Sequence, residues 1–236
     1  MAVDTEIEVL FEDNHLIVIN KRASEIVQGD KTGDEPLVEK VREYIRKKYN
    51  KPGNVFCGLV HRLDRPTSGV LVFARTSKAL ERMNKLFAEN HPAKLYWAVV
   101  EKAPEQAAGS LKHYLVRNEK QNKSYASDTP KNGSKEARLH YRILLKSDRY
   151  TLVEIVLETG RHHQIRAQLA AIGCVIKGDL KYGAKRSNTD GSIHLHARSL
   201  QFQHPTREET VSVTAPVPQD TLWQWFEKEW EKTQAK

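Results

Sequence analysis

Short apolar runs joined by hairpin-sized polar turns recur along this chain and constrain its fold more than any other feature. Glu8-Val9-Leu10-Phe11 and Leu16-Ile17-Val18-Ile19 flank Glu12-Asp13-Asn14-His15, a strand–turn–strand pattern. Leu59-Val60 and residues 70–73 read as strands on either side of a polar loop. From Lys94 onward strands dominate, at residues 95–100, 111–116, 137–145, 150–157, 193–202 and 211–214. Polar stretches at 127–135, with Pro130, Asn132 and Gly133, and at 183–192 read as loops.

Helical periodicity interrupts this pattern in four places. Pro36 opens a helix with Leu37, Val41, Tyr44 and Ile45 on one face, and Asp34 or Glu35 is the expected cap. Over residues 77–90, Leu80, Met83, Leu86 and Phe87 share one side and Lys78, Arg82 and Lys85 the other. The basic stripe is either a solvated face or a rail for phosphates. A short helix over 164–172 carries Ile165, Leu169 and Ile172 at core spacing. A closing helix from 221, capped by Asp220, is expected to bury Leu222, Trp225 and Phe226. Hairpins outnumber crossovers, so the expected fold class is α+β: a mixed, mainly antiparallel β-sheet core with flanking helices, in a single domain over 1–236.

Composition fits a globular protein with a substantial core. Of 236 residues, 39% are hydrophobic and 29% charged, and no apolar run is long enough to cross a bilayer. Residues 1–8 are acidic where a secretory signal is basic and then apolar. Cys57 and Cys174 stand far apart, which argues against a disulfide framework or a cysteine zinc site and for a reducing cytoplasm. The net charge of +8 and pI near 9.4 suit a polyanionic partner, though basic composition also occurs without one.

The polar loop after Val60 holds His61-Arg62-Leu63-Asp64-Arg65-Pro66-Thr67-Ser68-Gly69. This run resembles the signature of the RluA family of RNA pseudouridine synthases. Three further stretches agree in order: Lys94-Leu95-Tyr96-Trp97-Ala98-Val99, Gly160-Arg161-His162-His163-Gln164-Ile165-Arg166, and Gly178-Asp179 with Tyr182-Gly183 and Leu195-His196-Ala197. With the opening hairpin and Asn20-Lys21, the resemblance runs from about residue 6 to 216. It implies an enzyme that isomerises uridine in structured RNA, ribosomal or transfer, with Asp64 as the catalytic carboxylate. Breaking the glycosidic bond, turning the uracil and rejoining it through carbon 5 involves no net redox change and no departing group. No cofactor or metal is therefore expected. The carboxylate either attacks covalently or acts by elimination.

A carboxylate in a closed site tends to protonate unless a cation faces it. By resemblance Arg166 is that cation, paired with Asp64. Tyr96, otherwise a strand aromatic in the core, stacks on the target base. Arg62 braces the space left when the uridine is extruded from its stem. Candidate RNA contacts are Arg62, Arg65, Lys78, Arg82, Lys94, Arg161 and His163. Thr67, Ser68 and Gly69 shape the loop, and no glycine-x-serine-x-glycine elbow surrounds Ser68.

The chain departs from the family at several positions. The family's asparagine-lysine-proline-alanine-glycine reads Asn20-Lys21-Arg22-Ala23-Ser24 here, which puts the local loop shape in question. His162 stands where threonine or serine is usual, and Ala167-Gln168 replace valine-histidine. No S4-like module is expected, and a monomer is the default. Two rival readings remain. A metal hydrolase would draw on His162, His163, His194 and His196, but no acidic cluster accompanies them and neighbouring helical histidines diverge by about 100°. A noncatalytic RNA-binding module would not need Asp64, Tyr96 and Arg166 together.

Overall fold

The computed structural model describes residues 7–29, 33–89 and 91–235. The acidic start over 1–6 and Asn90, the expected end of the second helix, lie outside the described residues. The chain divides into two compact units, Met1–Ala93 with Ala197–Pro216 and Lys94–His196 with Val217–Lys236. The architecture is α+β, with mostly antiparallel strand pairing among the described residues. No helix among the described residues is long and apolar enough to cross a membrane.

In the first unit β1 (Glu8–Glu12) pairs with β2 (Leu16–Lys21). Asp13 makes the turn: its Oδ1 accepts from the N–H groups of His15 and Leu16, each at 2.7 Å. β2 pairs in turn with β4 (Ser68–Ala74), from Leu16 opposite Ala74 to Lys21 opposite Gly69. The short β3 (Gly58–Leu59) also joins β4, whose seven residues are all buried. That burial explains a continuous apolar run where a half-exposed strand would alternate.

Helix α1 (Leu37–Lys48) buries Leu37, Val41 and Ile45. Neither Asp34 nor Glu35 caps it. The cap position is Pro36, without a side-chain bond. The N–H groups of Leu37 and Val38 instead reach the carbonyls of Ile26 and Val27 at 2.8 and 3.4 Å, so the exposed donors of the first turn are met by backbone. Helix α2 (Ser77–Ala88) is capped by Thr76, whose hydroxyl accepts from Ala79 N at 3.2 Å. Met83 packs against Val70 and Val72, with Leu80, Leu86 and Phe87 partly buried alongside, while Lys78, Arg82 and Lys85 are exposed.

In the second unit the strand order is β5 (Ala93–Val100), β9 (Thr151–Leu157), β8 (Lys135–Lys146), β6 (Ala108–Asn118) and β7 (Lys123–Ser127). β7 falls in a stretch to which the sequence pattern assigns no element, touching the expected 127–135 loop only at Ser127. Its Lys-Ser-Tyr-Ala-Ser has no apolar run, and it holds through its ladder to β6. Helix α3 (Gln164–Ala171) and α4 (Thr221–Gln234) complete the unit. Asp220 caps α4, accepting from Leu222 N and Trp223 N at 3.0 and 3.1 Å. The buried aromatics of α4 are Trp223 and Phe226; Trp225 is 42% exposed and Leu222 half-buried. Phe226 is buried as expected and Leu222 packs at the edge of the same cluster, but Trp223 takes the inward place expected for Trp225, with Trp230 continuing the stripe. The chain passes from the second unit to the first within β10 (Leu195–Gln203), which pairs with β11 (Thr210–Thr214).

Gly69 fixes how closely the strands of the first unit approach. Its φ is +114°, and a Cβ there would sit 2.3 Å from the Ala197 carbonyl oxygen and 2.6 Å from Ala197 N. We expect Gly69→Ala to destabilise the protein by about 3 kcal/mol or more, through overpacking against backbone together with a disfavoured φ. The denaturant midpoint checks this; a variant within experimental error of the parent contradicts it.

Candidate active site

The run around Asp64 lies between β3 and β4 in the first unit. His61 Nε2 accepts from Val72 N at 3.2 Å, and its ring stacks on Phe87 at 4.8 Å. The Asp64 carbonyl accepts from Thr67 N at 3.0 Å, closing a turn through Arg65 and Pro66. Asp64 is half-buried, and Arg62 and Arg65 are exposed. The Arg65 guanidinium reaches Asp34 at 2.5 Å, which gives Asp34 a task other than helix capping.

Beneath this turn lies a residue whose role the sequence does not reveal. Lys21, at the end of β2, is fully buried. Its ammonium donates to three carbonyl oxygens: Thr67 at 2.7 Å, Arg22 at 2.9 Å and Arg65 at 3.0 Å. All three of its donors are thus used, as a buried ammonium requires. Burial pulls its pKa down to about 7, against the attraction of Glu25 and Asp64. Two of the three bonds land on residues flanking Asp64, so Lys21 ties that turn to β2.

The departure at residues 22–24 is accommodated. Ser24 stands where the family's glycine is expected, and it adopts φ +71° itself, with its N–H on the Arg65 carbonyl at 2.8 Å. The loop thus takes a left-handed conformation at this position without a glycine. On α2, Lys78 is exposed, whereas Arg82 donates to the Pro205 carbonyl at 2.7 Å. The basic face is thus partly a strap for a neighbouring loop.

The remaining sequence-derived residues lie in the second unit. Tyr96 sits on β5 opposite Ile155, half-buried beside the core formed by Ala98, Val153 and Ile155. Lys94, two residues earlier on the same strand face, is half-buried, and that burial lowers its pKa. Helix α3 is buried all round from Gln164 to Leu169, so its polar residues need internal partners. Arg166 meets Asp179 in a two-point pair, Nε to Oδ2 at 2.7 Å and Nη2 to Oδ1 at 2.8 Å, both side chains almost wholly buried. Its guanidinium also lies 5.1 Å from the Tyr182 ring centre. Asp179 sets the direction of Arg166, although the sequence marks it only as part of a late motif. Gln168 donates towards the Leu111 and Ala137 carbonyls and His113 Nδ1.

At the start of α3, Gln164 Oε1 accepts from the Thr159 hydroxyl at 2.8 Å and from Arg161 N at 3.0 Å. Arg161 is exposed, with Nε on the Glu136 carbonyl at 3.0 Å. His162 and His163 precede the helix, and their rings stack at 3.8 Å rather than diverging. His162 bridges to Ser124 Oγ on β7 at 2.8 Å and to Asn122 Oδ1 at 3.1 Å. His163 is buried, with Nδ1 3.0 Å from the Tyr182 hydroxyl. Burial first, and then the nearby Arg166, push its pKa down to about 2, so it brings no positive charge to a phosphate.

His194 and His196 are packing residues beside Trp223. His194 lies between Asp220, 3.0 Å from Nε2, and the Asn188 amide, 2.9 Å from Nδ1. Among the described residues no three His, Cys, Asp or Glu side chains gather as a metal site would require. Cys57 and Cys174 are both buried free thiols.

Comparison with known proteins adds to this geometry. The family model described as RNA pseudouridylate synthase matches residues 15–171. An uncharacterised RNA pseudouridine synthase of Synechocystis is 31% identical, over 92% of this chain and 68% of that protein. Ribosomal large subunit pseudouridine synthase C of Buchnera aphidicola is 33% identical over 89% and 66%, and synthase D of Zymomonas mobilis 33% over 92% and 71%. The chain spans about two thirds of the length of these relatives. The solved structure of human RNA pseudouridylate synthase domain containing 4 superposes with a TM-score of 0.78 at 25% identity, covering 93% of this chain and 92% of that one.

Two stability predictions follow from these contacts. Ser24→Gly removes the cost of a side chain at positive φ and is expected to stabilise the protein by about 0.5–1 kcal/mol; an unchanged or lower melting temperature contradicts this. His194 is charged in the unfolded chain below about pH 6.5. In the fold, burial and then Lys177 lower its pKa to about 4, against Asp220. The unfolded state therefore binds more protons within that window, and stability present above pH 6.5 is lost as pH falls towards 4. The loss attributable to His194 is on the order of 2–3 kcal/mol. Melting curves across this range should be flatter for His194→Gln than for the parent.

Proposed function

The chain belongs to the RNA pseudouridylate synthase family, whose members are isomerases, and from that premise we propose that it converts a specific uridine of a structured RNA to pseudouridine without a cofactor. The substrate is ribosomal or transfer RNA, and the names of the Buchnera and Zymomonas relatives favour ribosomal RNA. The proposed location is the cytoplasm.

Asp64 is the carboxylate that engages the uridine while the glycosidic bond breaks and the uracil rejoins through carbon 5. The observation that carries this reading is the Asp64 turn itself, closed by Thr67 and tied from below by Lys21. A general base or nucleophile must be held to a fraction of an ångström, and a turn anchored to a central strand supplies that rigidity. Tyr96 offers an aromatic face to the base. Arg166, its direction set by Asp179, is the cation paired with Asp64. Arg62 fills the place of the extruded nucleotide. The exposed cations Arg62, Arg65, Lys78 and Arg161 contact the RNA, with Lys94 and Arg82 in supporting positions.

The test is a map of pseudouridines in total RNA from cells with and without the gene; one site lost on deletion names the substrate. On that RNA, Asp64→Asn is expected to lower product formation at least about a thousandfold with the fold intact. Arg166→Ala is expected to lower kcat more than RNA affinity. Normal product from Asp64→Asn would overturn the catalytic role of this carboxylate, whereas no product from the parent on any RNA would leave the chain an RNA-binding protein.

A further inference from the structure

Several basic side chains on the second unit are matched by acids. Arg138 pairs with Glu136 and Glu158, Arg142 with Glu154, and Lys112 with Glu136. One concavity gathers four cations that are not so matched. It measures about 570 Å³, and its wall includes Arg149, Tyr150, Lys177, Lys185 and Arg186, with Glu101 as the sole acid. Among the described residues none of these four cations has a carboxylate within ion-pair distance. Gathering four cations around one cavity is unfavourable unless an anion shares it.

The floor of the cavity is rigid. Lys177 Nζ donates to Asn188 Oδ1 at 2.6 Å. The Asn188 amide is held by the Ser192 carbonyl at 3.0 Å, the Ser192 hydroxyl at 3.1 Å and His194 Nδ1 at 2.9 Å. Gly178, at φ +86°, lets the backbone lie so close that a Cβ would come within 2.8 Å of the Asn188 amide nitrogen. Lys177 also lies 5.9 Å from the Tyr150 ring centre. Tyr150 is positioned by a local turn, its carbonyl accepting from Ser147 N at 2.8 Å. Above this floor Arg149, Lys185 and Arg186 are exposed. The cavity thus has a fixed base, an aromatic wall and a cationic rim, at a size suited to a nucleotide unit.

We propose that this cavity is an RNA-binding subsite that holds phosphodiester groups of the substrate outside the target uridine, with Arg149, Lys177, Lys185 and Arg186 as the phosphate contacts. The assignment rests on the reading of the protein as an RNA enzyme. It places part of substrate recognition on the loop over residues 183–192, which reads backbone charge and shape and leaves the chemistry to other residues.

The experiment compares the parent with the double variant Lys185→Ala/Arg186→Ala, with Arg142→Ala as the acid-paired control. Binding of an unmodified large-subunit ribosomal RNA transcript is measured across a series of KCl concentrations, with and without inorganic phosphate. The double variant should bind at least about tenfold more weakly near 0.1 M salt. The slope of log affinity against log salt should fall by about 2, one per lost contact, and single-turnover product formation at saturating RNA should match the parent. The control should leave the slope unchanged. Unchanged affinity and slope in a double variant that melts like the parent overturns the proposal. So does a loss of turnover at full affinity, or inorganic phosphate weakening RNA binding by the parent and the double variant alike. A parent that binds the transcript with the expected slope but forms no pseudouridine on any RNA would refute the enzymatic reading while leaving the subsite standing.

Discussion

An ammonium group with no exposure to water is tolerable only if every one of its protons finds an acceptor, and Lys21 meets that condition with three backbone carbonyls. The carbonyls belong to two separate segments, the loop after β2 and the turn that carries Asp64. One side chain therefore specifies how these segments lie against each other. Replacing it by an apolar residue would leave the buried Thr67 carbonyl unmet, at a cost of roughly 1–3 kcal/mol, and would strip the part-buried Arg22 and Arg65 carbonyls of a charged donor. The same neighbourhood contains two other demanding positions. Gly69 opposes Lys21 in the β2–β4 ladder and admits no Cβ. Ser24 bends at positive φ to bring its N–H onto the carbonyl of Arg65, which also accepts from Lys21. Local strain and an exacting packing constraint thus gather around the turn under Asp64, as they do where geometry serves chemistry.

The second unit solves a similar problem with opposite charges. Helix α3 is buried on all sides, so the Arg166 guanidinium must be neutralised inside the protein, and Asp179 does this through two parallel bonds. A bidentate pair fixes the plane of the guanidinium as well as its position. Gln164, Gln168, His162 and His163 are bonded to the surrounding strands or loops for the same reason. Such a helix cannot be shifted by a turn without stranding several polar groups, which makes it a firm platform for a cation.

Legibility in the sequence follows the same physics. The strands with apolar runs, the amphipathic α2 and the Asp220 cap are determined within a few residues of themselves, so local pattern reveals them. β7 escapes because Lys123-Ser124-Tyr125-Ala126-Ser127 depends on its ladder to β6 rather than on its own composition. Trp223 and Trp225 flank a choice of helical face that aromatic content alone cannot make. The motif residues Asp64, Tyr96 and Arg166 stand out by resemblance. Lys21 and Asp179 do not stand out as working parts. A charged residue reads as exposed until its partners are known, and theirs lie 44, 46 and 13 positions away.

The charge of +8 takes on a different meaning once the pairs are drawn. On β8 Arg138 and Arg142 sit among acids at 2.5–3.3 Å, and such pairs present little net field to a distant polyanion. Lys21 and Arg166 are buried and spend their charge inside the protein. The excess that a long-range partner would feel therefore comes from a smaller set, of which the rim at Arg149, Lys185 and Arg186 is one concentrated part. A few unpaired cations over a rigid, low-dielectric wall focus potential better than the same charges scattered singly.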